Sequence, residues 1–574
     1  MRIARRVILS AFVILLAAGA WVWWNQPEKA DMAAYVPADS IVYLEVNSLP
    51  ELLGGIASTD AWRELAPAAG IKRDLGNVGW AGRFVRLTGL GPGDSVVLSR
   101  AQFAVTVQSF EAAEESDATT LKVSPRAALV AETHTGEGRT RAAVEKLVGD
   151  FARRSFGSPS LERKEVDGFS FVTWAAPGGA KRKIVTAVEG SVAVVGNDEA
   201  TVRACLEVRR GARPSLQGDE QLGDMRARLD AGGALAFGFA PAGSAAKMFE
   251  VFAPLFVGGF SDKPEVQGFM ATFLPQLINQ LLGSAGWSAR AAGGAVEDRY
   301  LLRLNEGVPE RLRAPLEVSE GERRAAPEVF PRDVYEVSSY RFRDPDAAWR
   351  GLNAVIASRV DAYRASILSL AFEAVLKSYG VERPREFLAA AGPEVFTSWL
   401  AGTSENKVLV VGVRDREVLR RQVSLRLGKG ARVERVGEAE LLISSDPEQG
   451  AASFVGDYLL VGDEEDLRRC LAARREGRAV NDEGVAEGTS VRLFEGSAFV
   501  TTRTRDARSA LKFLSLLGNV SPEKRDALEK ALARHSLSVS ETRLTAEGFE
   551  KRTRSAFGQF GEIGSALAPG GEKK

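Results

Sequence analysis

Along the chain, stretches in which hydrophobic and polar residues alternate give way to stretches in which hydrophobic residues recur every three to four positions. This succession occurs twice. The first round opens with Pro37-Ala-Asp39 ahead of the alternating Ile41-Val-Tyr-Leu-Glu-Val46, and Ser48 with Glu51 three positions on reads as a capping box for a helix. A strand-like run, Ala127 to Thr135, then precedes an amphipathic stretch from Ala142 to Arg153. The second round opens with Pro331-Arg-Asp333 ahead of Val334-Tyr-Glu-Val337. Asp344-Pro345 reads as an N-cap followed by proline at the first helical position. Lys407 to Val413 followed by Glu417 to Leu427 repeats the strand-then-helix order.

The clearest repeated box runs from Val188 to Arg210 and again from Phe454 to Arg475. With a one-residue gap, Gly190 and Gly196 match Gly456 and Gly462, and Asp198-Glu199 matches Asp463-Glu464. Arg203, Cys205 and Leu206 match Arg468, Cys470 and Leu471, and Arg209-Arg210 matches Arg474-Arg475. Each copy holds a turn between strands, Val166-Asp167-Gly168 and Val436-Gly437-Glu438, and each closes on a hairpin, Ser288 to Leu304 and Ser538 to Thr553. These patterns predict an α+β fold: a tandem duplication of a mixed strand and helix unit, with antiparallel sheets that carry helices on one face. The expected copies span 32–306 and 327–556, separated by a polar linker at 307–326 and followed by a flexible tail at 557–574.

Residues 1–30 carry a different signal. Arg2, Arg5 and Arg6 precede an uncharged run, Val7 to Trp24, which as a helix would extend about 27 Å, close to a bilayer's hydrocarbon thickness. Trp21, Trp23 and Trp24 suit the far interface, and the arginines suit the cytoplasmic side. The expectation is one signal-anchor or signal helix, a single pass through a bacterial inner membrane, and a body in the periplasm or extracytoplasmic space. Cleavage near Ala20, at Ala18-Gly19-Ala20, would release the body instead.

Composition narrows what that body can do. The chain has 574 residues with 75 basic and 75 acidic side chains. Leaving out Arg2, Arg5, Arg6, Lys29 and Glu28 turns this into 71 to 74, a mildly acidic body with no field to draw nucleic acid. Two histidines and two cysteines are too few for a Cys/His zinc site, and no cofactor motif is present. Val202, Cys205 and Leu206 share one helical face, as do Leu467, Cys470 and Leu471, so both cysteines read as core positions ahead of a bridged pair. The Arg-Arg pairs read as cations at a helix C-terminus, with an anion or lipid-headgroup site as the competing reading. Ser244-Ala-Ala-Lys247 and Ser521-Pro-Glu-Lys524 match a short catalytic pattern, but the second is what a helix start requires. With His134 and His535 as the sole histidines, no catalytic residue is assigned.

One stretch of the first copy has no apolar equivalent in the second. Between Met248 and Trp287 it is rich in large hydrophobic residues, among them Phe249, Phe252, Phe256, Phe269, Phe273, Leu277 and Leu281, whereas Leu511 to Leu537 is shorter and more charged. Phe273, Leu277 and Leu281 share a helical face. Three destinations are open: packing between the copies, a surface for an apolar ligand or partner, and contact with the bilayer.

The opening Val36-Pro-Ala-Asp-Ser-Ile-Val-Tyr-Leu-Glu-Val-Asn-Ser-Leu-Pro50, the Lys164-Glu-Val-Asp-Gly168 turn and the Asp-Glu-x-x-x-Arg-x-Cys-Leu helix together resemble domain-of-unknown-function family 3352. That family is bacterial, and the resemblance covers most of the body. It implies an envelope-associated α+β protein and carries over no activity or site residues. The second copy departs from the Asn47-Ser-Leu-Pro50 turn, with Arg343-Asp-Pro345 in its place. The functional expectation is therefore a non-enzymatic, membrane-anchored extracytoplasmic protein that binds a protein partner, a lipid or another apolar ligand. A hydrolase of envelope substrates and a scaffold without a ligand cavity are the alternatives.

Overall fold

A computed structural model describes residues 28–68, 97–114, 121–178, 182–257, 264–319, 329–331, 334–378, 381–400, 407–479, 499–503 and 538–561. The apolar run Val7 to Trp24 lies outside the described residues. Among the described residues no helix is long and apolar enough to cross a membrane. The chain divides into a first compact unit (1–53, 75–108, 126–219) and a second (54–74, 109–125, 220–574).

The first unit is built on an antiparallel sheet of β1 (Val42–Val46), β2 (Gln102–Glu114), β3 (Leu121–Glu132), β4 (Ser160–Val166), β5 (Phe169–Ala175), β6 (Lys183–Glu189) and β7 (Val192–Gly196). Pairing places them in the order β1-β2-β3-β7-β6-β5-β4. Asp167 and Gly168 form the two-residue link between β4 and β5, both with positive φ (52° and 73°). Glycine meets that requirement without steric cost and aspartate tolerates it, so the hairpin matches the strand twist.

The second unit's sheet comprises β8 (Ala236–Ala240), β9 (Leu282–Ala292), β10 (Ala295–Leu304), β11 (Val334–Arg341), β12 (Ala391–Leu400), β13 (Lys407–Val413), β14 (Arg432–Val436), β15 (Ala439–Ile443), β16 (Ala451–Val455), β17 (Tyr458–Gly462), β18 (Phe499–Arg503), β19 (Ser538–Leu544) and β20 (Gly548–Ser555). Its order is β8-β9-β10-β20-β19-β18-β11-β12-β13-β17-β16-β15-β14. Third and fourth in this order, β10 and β20 pair in register from Val296 opposite Ser555 to Arg303 opposite Gly548.

Mixed α+β architecture on antiparallel sheets thus matches the sequence pattern, but the helices lie on both faces of the sheet rather than one. In the second unit Leu409, Val411, Leu459 and Val461 pack with Leu419, Val423 and Leu427 of the helix Arg416–Leu427. The intervening Val408, Val410 and Leu460 pack with Leu467, Cys470 and Leu471 of the helix Glu464–Arg475. Val408-Leu-Val-Val411 and Tyr458-Leu-Leu-Val461 are continuous apolar runs, and a strand needs such a run only when both of its faces are buried. In the first unit Ala193 likewise faces Val144 of the helix Glu137–Phe156. A Cβ on Gly196 would meet Val202 of the helix Glu199–Arg209 on the opposite side.

Side-chain N-cap bonds form at both expected helix starts, and at Ser48 the Glu51 carboxylate meets Lys29 instead of closing a capping box. Asp344 accepts hydrogen bonds from the backbone N–H groups of Asp346 and Ala347 at 3.0 and 3.2 Å, starting the helix Pro345–Ala357. Ser48 accepts from Glu51 N–H at 3.2 Å. Within the polar segment 307–326, Val308–Arg313 is helical, and Val308, Leu312 and Leu316 pack against Ala348 and Val355. Their spacing of four makes an apolar stripe among the glutamates and arginines.

Candidate functional site

Two regions of the second unit compete as sites, and the first is the aromatic stretch. Phe249, Phe252 and the backbone of Phe256 lie on the helix Ser244–Val257; the Phe256 side chain is outside what is described. Phe249 and Phe252 are half-buried, and Phe252 meets Phe110 edge-on at 5.1 Å. Phe269, Phe273, Leu277 and Leu281 lie on the helix Pro264–Leu281. Phe273 (4% exposed) and Leu277 (3%) join Met270, Ile356 and Leu368 in one cluster, with Phe269, Leu281 and Leu352 packed around it. Phe269 stacks on Phe273 at 5.4 Å and meets Tyr363 edge-on at 6.3 Å. The C-terminal part of the stretch is thus spent on the helices Pro345–Ala357 and Ala362–Ser378.

The second region is a cavity of about 370 Å³ on one face of the central strands. Because side chains on a strand alternate between faces, register sets which residues meet there. One row across five adjacent strands reads Asp298 (β10), Thr553 (β20), Ser540 (β19), Thr501 (β18) and Ser338 (β11), each opposite the next. The row beside it reads Tyr300, Lys551, Thr542, Phe499 and Tyr340. All of these except Ser338 and Tyr340 line the cavity, and Glu336, Ser538 and Ser555 add to its rim.

Hydrogen bonds order this surface. Ser540 and Thr553 hydroxyls lie 2.8 Å apart, and those of Ser338 and Thr501 3.0 Å. Buried Asp298 (1% exposed) accepts from Trp287 Nε1–H at 2.8 Å and from the backbone N–H of Gln559 at 3.0 Å. The Tyr300 hydroxyl donates to Gln559 Oε1 at 3.0 Å. Lys551 Nζ stands 5.5 Å from the centre of the Tyr300 ring. Phe499 is held edge-on by Tyr340 and Phe342 at 5.7 and 5.4 Å. On the opposite face Arg552 stands directly across from Arg299, and its pKa is lowered first by burial and then by that neighbouring charge.

This polar row was not singled out from the sequence. Its signal is present in the period-two hydroxyls of Ser538-Val-Ser-Glu-Thr542 and Thr553-Arg-Ser555. Joining them to Asp298 and Thr501 depends on strand pairings that no local pattern announces.

The residues of the repeated box have structural partners. Arg203 donates to Asp167 at 2.8 Å and to Glu199 at 3.1 Å, and Arg468 donates to Glu434 at 2.8 Å and to Glu464 at 2.9 Å. The hydrogen bonds from Arg468 hold the Glu434 carboxyl below the usual carboxylate range. Arg210 donates to Glu189 at 2.8 Å and to the Gly168 carbonyl at 3.0 Å, and its guanidinium lies 3.7 Å from the Phe169 ring centre. It serves as a clamp between helix and hairpin rather than an open anion site. Cys205 and Cys470 are buried thiols, neither in a disulfide, and burial pushes the Cys205 thiol up to about 12. A thiol held protonated is a poor nucleophile or metal ligand. His134 Nε2 lies 3.0 Å from Gln102 Oε1, in a left-handed backbone conformation (φ 52°). His535 and Ser521-Pro-Glu-Lys524 are outside the described residues. Among the described residues no group of three or more His, Cys, Asp or Glu side chains is placed to hold a metal ion. Comparison with protein-family models, curated proteins and solved structures finds no match.

Proposed function

We propose that the chain is a non-enzymatic binding protein of the bacterial envelope, anchored by Val7 to Trp24, whose body consists of two copies of one α+β unit and takes a polar ligand in the cleft on β10, β20, β19, β18 and β11. The observation that carries the ligand site is the hydroxyl row Thr553-Ser540-Thr501 bordering a cavity of about 370 Å³, a volume within the usual range for small-ligand sites. Its lining argues for hydrogen bonding and against the apolar ligand that the phenylalanines suggested.

The matching strand orders β1-β2-β3-β7-β6-β5-β4 and β11-β12-β13-β17-β16-β15-β14 support the duplication. Membership of family 3352 and an extracytoplasmic address belong to the same proposal, on the sequence features that carried them. Ser540, between Thr553 and Thr501 in the row, pairs with Thr553 and not with a base, which favours binding over nucleophilic chemistry. The burial of Phe273 and Leu277 favours a scaffold role for that stretch alone.

The test is to purify the full chain from membranes and identify co-purifying small molecules by mass spectrometry, beside a Thr501→Val/Ser540→Ala variant. A polar compound retained by the parent and lost by the variant is the expected result. Retention by both, or by neither at native expression, overturns the site.

A further inference from the structure

We infer that the ligand of this cleft is a short, uncharged, polyhydroxylated chain, an oligosaccharide by chemical class. The inference rests on the proposed site and names what it recognises.

Hydroxyl side chains both donate and accept, so a row of them is satisfied best by a ligand whose own groups do both. Thr553, Ser540 and Thr501, the hydroxyls of the row that line the cavity, follow one another on neighbouring strands, and with Asp298 the row reaches about 14 Å at the usual spacing between strands. That is longer than a single sugar ring and suits a chain. Beside the row Tyr300 and Phe499 also line the cavity, but its exposed surface is mostly polar, so recognition rests on hydrogen bonding to the row.

Other ligand classes fit less well. Among the described residues the cavity lining carries two carboxylates, Asp298 and Glu336, against one cation, Lys551, which disfavours an anion. A peptide that binds by strand addition needs an open sheet edge. Every strand that contributes to the cleft is already paired on both sides. An apolar ligand would leave the hydroxyls without the hydrogen bonds that water gives them.

The experiment titrates the full chain, in a detergent without a sugar headgroup, with a panel of neutral tetrasaccharides built on glucose, N-acetylglucosamine or xylose. A neutral tetrapeptide and inorganic tripolyphosphate serve as comparators. The expected result is binding of at least one tetrasaccharide, weakened at least about tenfold by Thr501→Val/Ser540→Ala, the loss expected for one or two hydrogen bonds. The melting temperature of the double variant, within a few degrees of the parent, shows that the body is folded. If tripolyphosphate or the peptide binds and the double variant abolishes that binding, the cleft remains a site and the oligosaccharide class is overturned. If no probe binds, the oligosaccharide class is overturned, and if the double variant also melts several degrees lower than the parent, the row is structural and the proposed site falls with it. Saccharide binding untouched by the double variant overturns the placement.

Discussion

The aromatic stretch and the hydroxylated face of the central strands lie in the same unit and are opposites in visibility. Phe269 to Leu281 stands out in the sequence, yet its side chains are spent on Leu352, Ile356 and Leu368. Thr553, Ser540 and Thr501 are inconspicuous, yet they border a cavity. A large apolar side chain is the residue most readily consumed by folding, because burial is what it gains from. A serine or threonine gains little from burial and is the residue left to face a ligand. A conspicuous apolar run is therefore first a statement about the core.

The comparison breaks most readily at Phe273. If the stretch is core, Phe273→Ala removes a ring in contact with Met270, Leu277 and Ile356 and costs about 3–5 kcal/mol, read as a shift in the denaturant midpoint of the body. If it is instead a ligand surface, the variant keeps its stability and loses only binding. The next effect is at Asp298. Asp298→Ala strands the Trp287 Nε1–H and the Gln559 N–H in a buried place, at a cost of about 2–3 kcal/mol. Asp298→Asn keeps an acceptor for one of them, and its smaller loss would show that hydrogen bonding rather than charge holds that end of the cleft.

The buried thiol offers a comparison by pH. Cys205 has its folded-state pKa raised to about 12 by burial, so the native state holds this proton more tightly than the unfolded chain does. Its contribution to stability is complete below the ordinary thiol range and is lost as pH rises toward 12. Cys205→Ala should flatten the alkaline limb of the stability profile by a part of its slope. In the folded protein at neutral pH Cys205 should resist alkylation and react only on unfolding; labelling of the native state at the unfolded rate would contradict its place in the core.

How much of this was legible depends on the range of the interaction. Caps at Ser48 and Asp344 were readable because donor and acceptor lie within three residues. The core role of Cys205 and Cys470 was readable because each shares a helical face with leucine, Leu206 and Leu471. The two-faced burial of β13 and β17 was written in their unbroken apolar runs, although alternation elsewhere pointed to helices on a single face. The cleft was illegible for another reason. Asp298 and Thr553 are separated by most of the second unit, and only the β10–β20 register brings them side by side. Local pattern says which residues share a strand face, while pairing order says which strands become neighbours.

The smallest expected effect is the sharpest test of the comparison. Ser540→Ala removes one hydroxyl that pairs with Thr553 at 2.8 Å on a half-buried surface, so stability should move by no more than about 0.5 kcal/mol. The two residues stand opposite each other, and Thr553→Val in the same chain removes the partner as well. If the pair exists to hold the sheet together, the double variant costs less than the sum of the singles, and the coupling measures their bond. If the pair exists to present hydroxyls outward, the coupling in stability is near zero while ligand affinity falls with each substitution. Chemical denaturation of the four-member cycle, with the melting temperature read beside it, separates a hydroxyl kept for the fold from one kept for what lies above it.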